Sequence, residues 1–163
     1  MDLRRLRVGE WMVGAAGVAL LMSLFLDWYG VKGVKTGLSA WDAFDVVDVV
    51  LLVVALSAIA LAVVTALQRT PAIPVAMASI VTILAFVALI LVVYRAIDEP
   101  DAYSTGVLGT KGVALDLSLS GGLWLALASS LAMLTGGALA IRDERPGAPV
   151  PPVEAEELPA PAP

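Results

Sequence analysis

The sequence predicts an all-α membrane protein, a four-helix transmembrane bundle with a small extracytoplasmic antiparallel β-sheet built from both outer loops. Three observations predict it. The chain is 60% hydrophobic and only 15% charged, with a mean hydropathy of +0.91, more apolar surface than a soluble domain of this size hides in one core. Four apolar stretches, 11–26, 49–67, 74–94 and 123–141, are long enough to cross about 30 Å of hydrocarbon at about 1.5 Å per residue. The two long connections, 27–48 and 95–122, carry glycines, aromatics and apolar alternation where a plain linker would be polar throughout.

The first stretch follows MDLRRLR and has the layout of a signal peptide. It runs straight into Phe25, Asp27, Trp28 and Tyr29 without a small-x-small cleavage site, so it reads as a retained helix. Arg4, Arg5 and Arg7 precede it, Arg69 lies in the short QRTPAIP link between spans two and three, and Arg142 and Arg145 follow span four. The other side carries Lys32, Lys35, Arg95 and Lys111, diluted by Asp27, Asp42, Asp45, Asp98, Glu99, Asp101 and Asp116. The positive-inside rule then predicts a multi-pass protein of the cell membrane with both termini cytoplasmic. Pro71 and Pro74 frame the inner turn, where a missing N–H at a helix start costs nothing.

In the first outer loop, the Gly- and Val-rich residues 29–38 predict one or two short strands. Ser39 and Asp42 then resemble a capping box, so a helix is expected to begin near Ala40 and feed span two. In the second loop, VALDLSLS over 113–120 puts Val113, Leu115, Leu117 and Leu119 on one parity, the period-two mark of a half-buried strand. Upstream, Val107 and Leu108 with Gly109 to Gly112 predict a hairpin. The apolar side of this sheet should lie on the helix ends. Each half of the chain thus repeats span, β-rich loop, span, which a duplication or topology alone would produce. Residues 142–163, RDERPGAPVPPVEAEELPAPAP, are too rich in Pro, Ala and Glu to bury a core and predict a disordered cytoplasmic tail.

Within lipid, helices associate through close contact of small residues, because the hydrophobic effect gives no drive between them. Span four offers Ala128, Ala132, Gly136 and Ala140 at spacing four, and span two offers Ala58, Ala62 and Ala66. The polar residues of the spans are Ser23, Ser57, Thr65, Ser79, Thr82, Ser129, Ser130 and Thr135, and no ionisable residue lies mid-span. That speaks against a proton or ion relay. Glu10, at the cytoplasmic mouth of span one, is expected to snorkel or to pair with Arg7 or Arg69.

Through LFLDWYG (24–30), SAWDAFD (39–45), YRAIDEP (94–100) and SGGLWLALASSLAMLTGG (120–137), the chain resembles the small four-span membrane proteins common in actinobacterial genomes, over most of residues 10–141. The resemblance implies the layout and carries no activity. The arrangement of four helices with a sheet from both outer loops is also similar to the claudin-like fold, and Trp28 followed by Gly37, Leu38 and Trp41 echoes the claudin W…GLW pattern. The paired Cys that follow it in claudins are absent here, and the GLW at Gly122 to Trp124 lies elsewhere in the chain. This resemblance therefore implies a fold and not a junction or pore.

The absence of Cys and His excludes disulfides, thiolate or imidazole metal sites, His-ligated haem and Cys or His catalysis. No cofactor or metal is expected, and no enzyme, since no nucleophile-base pair can be assembled. The net charge of −5 resides in loops and tail, so the total says little about any one surface, and no nucleic-acid partner is expected. The candidate interaction surface is Trp28, Tyr29, Lys32, Lys35, Trp41, Asp42 and Asp45. Trp28, Tyr29, Trp41, Tyr94, Tyr103 and Trp124 fit an aromatic belt at headgroup level, with a ligand platform under the sheet as the alternative. Asp42, Asp45 and Asp48 recur every third residue, so on a helix they diverge instead of forming a Ca²⁺ cage, and they read as acids favoured by a helix N-terminus. The expected partners are the lipid bilayer and a membrane protein or second copy. The expected role is structural or accessory, in the cell envelope. An oligomeric transporter or channel for ions, small molecules or lipids is the alternative.

Overall fold

The computed structural model describes residues 8–31, 37–43, 46–67, 72–98 and 117–143. They are mostly helical, in the order α1 (Val8–Ser23), β1 (Asp27–Val31), β2 (Gly37–Ser39), α2 (Ala40–Ala43), α3 (Val47–Leu67), α4 (Ala72–Ile97), β3 (Leu117–Leu119) and α5 (Gly121–Asp143). Three helices are long and apolar enough to cross a membrane: α3, α4 over Ala76–Ile97, and α5 over Gly121–Arg142. At 16 residues, α1 is about 24 Å long and shorter than a span requires.

The helix itself ends at Ser23, three residues before the expected end of the first span. The amides of Phe25 and Leu26 bond the carbonyls of Met22 and Ser23 at 3.1 and 3.2 Å, in a tight terminal turn, and the Trp28 indole N–H takes the Ser23 carbonyl at 2.7 Å. The carbonyl of Ser23 is therefore satisfied from outside the helix, and the chain turns into β1. The other helices begin or end two to three residues beyond the expected spans, because capping turns carry α-geometry past the apolar run.

The long helices pack in a ring in which α1 lies between α3 and α5, and α4 closes the other side. Two seams of small residues hold α1. A Cβ at Gly9 would lie 2.6 Å from the Ala140 amide nitrogen and the Gly136 carbonyl oxygen of α5. One at Gly17 would lie 2.8 Å from the Ala58 Cβ of α3, and one at Gly14 2.7 Å from that of Ala62. The expected face of span two is thus the α1 contact. The hydroxyls near these seams turn back on their own helices: Thr65 donates to the Leu61 carbonyl at 2.9 Å, Thr82 to Ala78 at 2.7 Å and Ser130 to Ala126 at 2.8 Å. The helix surfaces then meet as nearly apolar solids.

Strands β2, β1 and β3 form an antiparallel sheet in that order, drawn from both loops that connect at this end of the helices. Tyr29 pairs with Leu38 on one side and Leu119 on the other, and this row packs against the core. The apolar side does lie on the helix ends. The hairpin expected over 107–112 lies outside the described residues, as do the tail from 144 and the early part of the 113–120 strand.

Candidate functional site

Of the seven residues expected to form an interaction surface, the structure places two inside. Trp28 and Tyr29 are each 0% exposed. In a regular strand, neighbours point to opposite faces, but a bulge between Asp27 and Tyr29 lets both turn inward. The Trp28 indole caps α1, while its carbonyl accepts from the Ser120 amide at 2.8 Å at the start of α5. The Tyr29 hydroxyl donates to the Arg95 carbonyl at 2.7 Å, near the end of α4. A Cβ at Gly122 would lie 2.7 Å from the Asp27 carbonyl oxygen and 2.8 Å from Trp28 Cδ1, so only glycine lets α5 start this close to β1. One strand thus joins three helix ends. This corrects the expectation that both aromatics stand in the headgroup belt: their polar atoms find partners in the chain, which makes full burial affordable.

Trp41 and Asp42 are exposed, while Lys32, Lys35 and Asp45 lie outside the described residues. Trp41 meets Phe25 with ring centroids 6.0 Å apart at 46°, a tilted pair that sequence reasoning did not join because 16 residues separate them. Tyr94 and Trp124 are also exposed and remain compatible with a belt. Tyr103 is outside the described residues. Asp42 accepts from the Ser39 hydroxyl at 2.7 Å and the Ser39 amide at 3.2 Å, which brings out the expected cap at the start of α2. The hydroxyl bond first, then the amide bond, holds the Asp42 carboxyl below its ordinary pKa, against a small opposing effect of burial. Asp48 lies buried in the first turn of α3, its carboxylate accepting from the Val49 amide at 2.7 Å. Glu10 is buried in the first turn of α1, not extended to the outside as snorkelling would have it.

The stripe expected on span four divides. Gly136 and Ala140 bury against Gly9, whereas Ala128 is exposed and Ala132 half-buried. A row at spacing four drifts about 40° per step on a helix of 3.6 residues per turn. From 128 to 140 it swings by roughly 120° and leaves the α1 contact. Between α1 and α5 lies an open groove of about 390 Å³, with Ala15, Ala16 and Ala19 on one wall and Ala128, Ser129 and Ala132 on the other. Met12 and Leu125 border it. Spacing alone marked Ala128 and Ala132 as a packing face; that this part of it is open needed the structure.

Comparison with protein-family models, with curated proteins and with solved structures finds no match to this chain.

Proposed function

We propose that this chain is a non-enzymatic integral membrane protein of the cell envelope that works by contact, as a structural or accessory component. The observation that carries this reading is the way its polar groups close on the fold itself. Ser23, Thr65, Thr82 and Ser130 donate to carbonyls of their own helices, and the polar atoms of Trp28 and Tyr29 tie the sheet end together. A conduit instead needs polar groups turned toward a path, where they replace the hydration of what passes. Glycine seams without room for a Cβ favour a rigid body whose outer surface meets other molecules.

In this reading α1 is the fourth span. Its helix and terminal turn give an apolar run over residues 8–26, about 28 Å at helical rise. Arg4, Arg5, Arg7, Arg69, Arg142 and Arg145 support cytoplasmic termini and an outer position for the sheet. A sheet fed by both loops at one end of the helices also fits the claudin-like layout.

Chemical crosslinking in native membranes is expected to recover one stoichiometric membrane-protein partner or a second copy. Solute flux into proteoliposomes containing this chain alone would overturn the contact reading in favour of an oligomeric transporter or channel. For topology, Cys placed at Thr36 or Thr110 of this Cys-free chain should react with an impermeant thiol reagent in intact cells, and Cys at Thr70 should not. The reverse pattern would invert the orientation.

A further inference from the structure

The glycines that close α1 onto α5 also decide which charges meet at the end away from the sheet. A Cβ at Gly9 would lie 2.6 Å from the Ala140 amide nitrogen, and one at Gly122 2.9 Å from the Leu26 carbonyl oxygen, so the two helices run antiparallel with their ends level. Arg142 follows Ala140 by two residues, about 3 Å beyond the contact at helical rise. Arg7 precedes Gly9 by two and is bonded to Val8, which holds its Cα within about 4 Å of the start of α1. One close contact thus brings two arginines to the same mouth.

Nothing within the helices answers that charge. Arg142 is exposed in the last turn of α5 and makes no ion pair among the described residues. The helix dipole favours a cation at the end of α5 but opposes one at the start of α1. Glu10, the acid of the first turn of α1, is buried and is not presented outward. In sequence, Arg4, Arg5, Arg7, Arg142 and Arg145 outnumber Asp2, Asp143 and Glu144 at these two chain ends. The surface beside them is apolar, with Val8, Trp11 and Ile141 exposed, and the apolar window of α5 stops at Arg142 itself. Guanidiniums on the rim of an apolar wall match an amphiphile, since a free phosphate would leave the wall uncovered. A zwitterionic headgroup would also bring an ammonium that the arginines repel.

We propose that this mouth binds an anionic phospholipid, its phosphate held between Arg142 and Arg7 and its acyl chains lying along Val8, Trp11 and Ile141. The planar guanidinium fork engages two phosphate oxygens at once, and an anion between the two arginines turns their mutual repulsion into attraction for a shared partner. With the termini cytoplasmic, the lipid belongs to the inner leaflet, whose surface is anionic. The inference rests on the membrane reading above and names a lipid among its contacts.

The test uses the full chain, carrying Trp41→Phe and Trp124→Phe, in vesicles of phosphatidylcholine and phosphatidylglycerol. Trp11 is then the exposed indole, because Trp28 is fully buried, and lipid brominated on its upper acyl carbons quenches it on contact. Brominated phosphatidylglycerol should quench more than brominated phosphatidylcholine at equal mole fraction. Arg7→Gln or Arg142→Gln should lower that preference about five-fold. The double variant should lose little more, since either substitution opens the shared phosphate site. Arg142→Lys should recover part of the preference, because the charge returns without the fork. Exchange of sodium chloride for sodium phosphate at equal ionic strength should leave the quenching unchanged. Equal quenching by the two lipids would overturn the proposal. So would additive losses, which mark the diffuse attraction of any positive surface, or displacement of the lipid by inorganic phosphate, which marks a free-ion site. Circular dichroism checks that each variant keeps its helices. Both leaflets carry the same lipids, so an inverted orientation, read from Cys at Thr36 and Thr70, would not move the quenching, and the two readings fail separately.

Discussion

The helical seams and the sheet end close the same fold by opposite means. Along the seams, α1 meets its neighbours through the smallest residues: Gly9 on Gly136 and Ala140, and Gly14 and Gly17 on Ala62 and Ala58. At the sheet end the contact is made by the largest, Trp28 and Tyr29, both fully buried. In the membrane reading proposed above, the difference follows from the solvent. Between helices in lipid, burying a large apolar side chain exchanges one apolar surrounding for another, so close backbone approach decides stability. Where the chain leaves the hydrocarbon, burial of an aromatic removes it from water and recovers the hydrophobic effect.

If that contrast holds, truncating the plug has the largest effect. Trp28→Ala should destabilise the fold by about 3–5 kcal/mol, since it opens a cavity where α1, β1 and α5 meet. It also removes the indole bond to the Ser23 carbonyl. Tyr29→Phe isolates the polar part of the contact and should cost about 1 kcal/mol through the lost bond to the Arg95 carbonyl. Reversible unfolding in mixed micelles, followed by circular dichroism, checks both. Equal losses for the two variants would mean that the hydrogen bonds, and not the buried rings, hold this end.

The seams should answer to added volume. Gly136→Ala places a Cβ 2.9 Å from the Gly9 carbonyl oxygen and from the Met12 Cβ, and should cost about 1–3 kcal/mol in the same assay. Ala128→Leu, eight residues earlier on α5 but facing the open groove, adds far more volume and should change monomer stability by less than about 0.5 kcal/mol. A comparable loss from Ala128→Leu would show the groove closed within the chain.

Much of this was legible in the sequence. Apolar length marked α3, α4 and α5, alternation marked the strand at Leu117–Leu119, and Ser39 with Asp42 marked the start of α2. These are local signals, each carried by residues within a turn or a strand of one another. What was not legible is non-local. Trp28 and Tyr29 look like belt residues until a bulge and two acceptors, the Ser23 and Arg95 carbonyls, turn them inward. Arg95 and Gly122 lie 66 and 94 residues from the β1 atoms they meet, a separation no periodicity reports.

The smallest effect belongs to the exposed cap of α2, where water competes for every bond. The Ser39 hydroxyl, and secondarily its amide, hold the Asp42 carboxyl below the ordinary value of 3.8. A carboxylate with a depressed pKa in the fold contributes stability that is complete above the ordinary value. That contribution is lost as pH falls through the folded one. Ser39→Ala removes the larger of the two bonds and leaves the amide at 3.2 Å, so the Asp42 titration, followed by carboxyl carbon NMR, should move up toward the ordinary value without reaching it. Because Asp42 lies in water, the overall stability of the variant at neutral pH should stay close to that of the parent, in contrast to Trp28→Ala. A titration unmoved by the substitution would mean that the cap is not formed through the Ser39 hydroxyl. A large loss of stability would mean that α2, and with it the exposed Trp41 and Phe25 pair, supports the sheet end as much as the buried plug does.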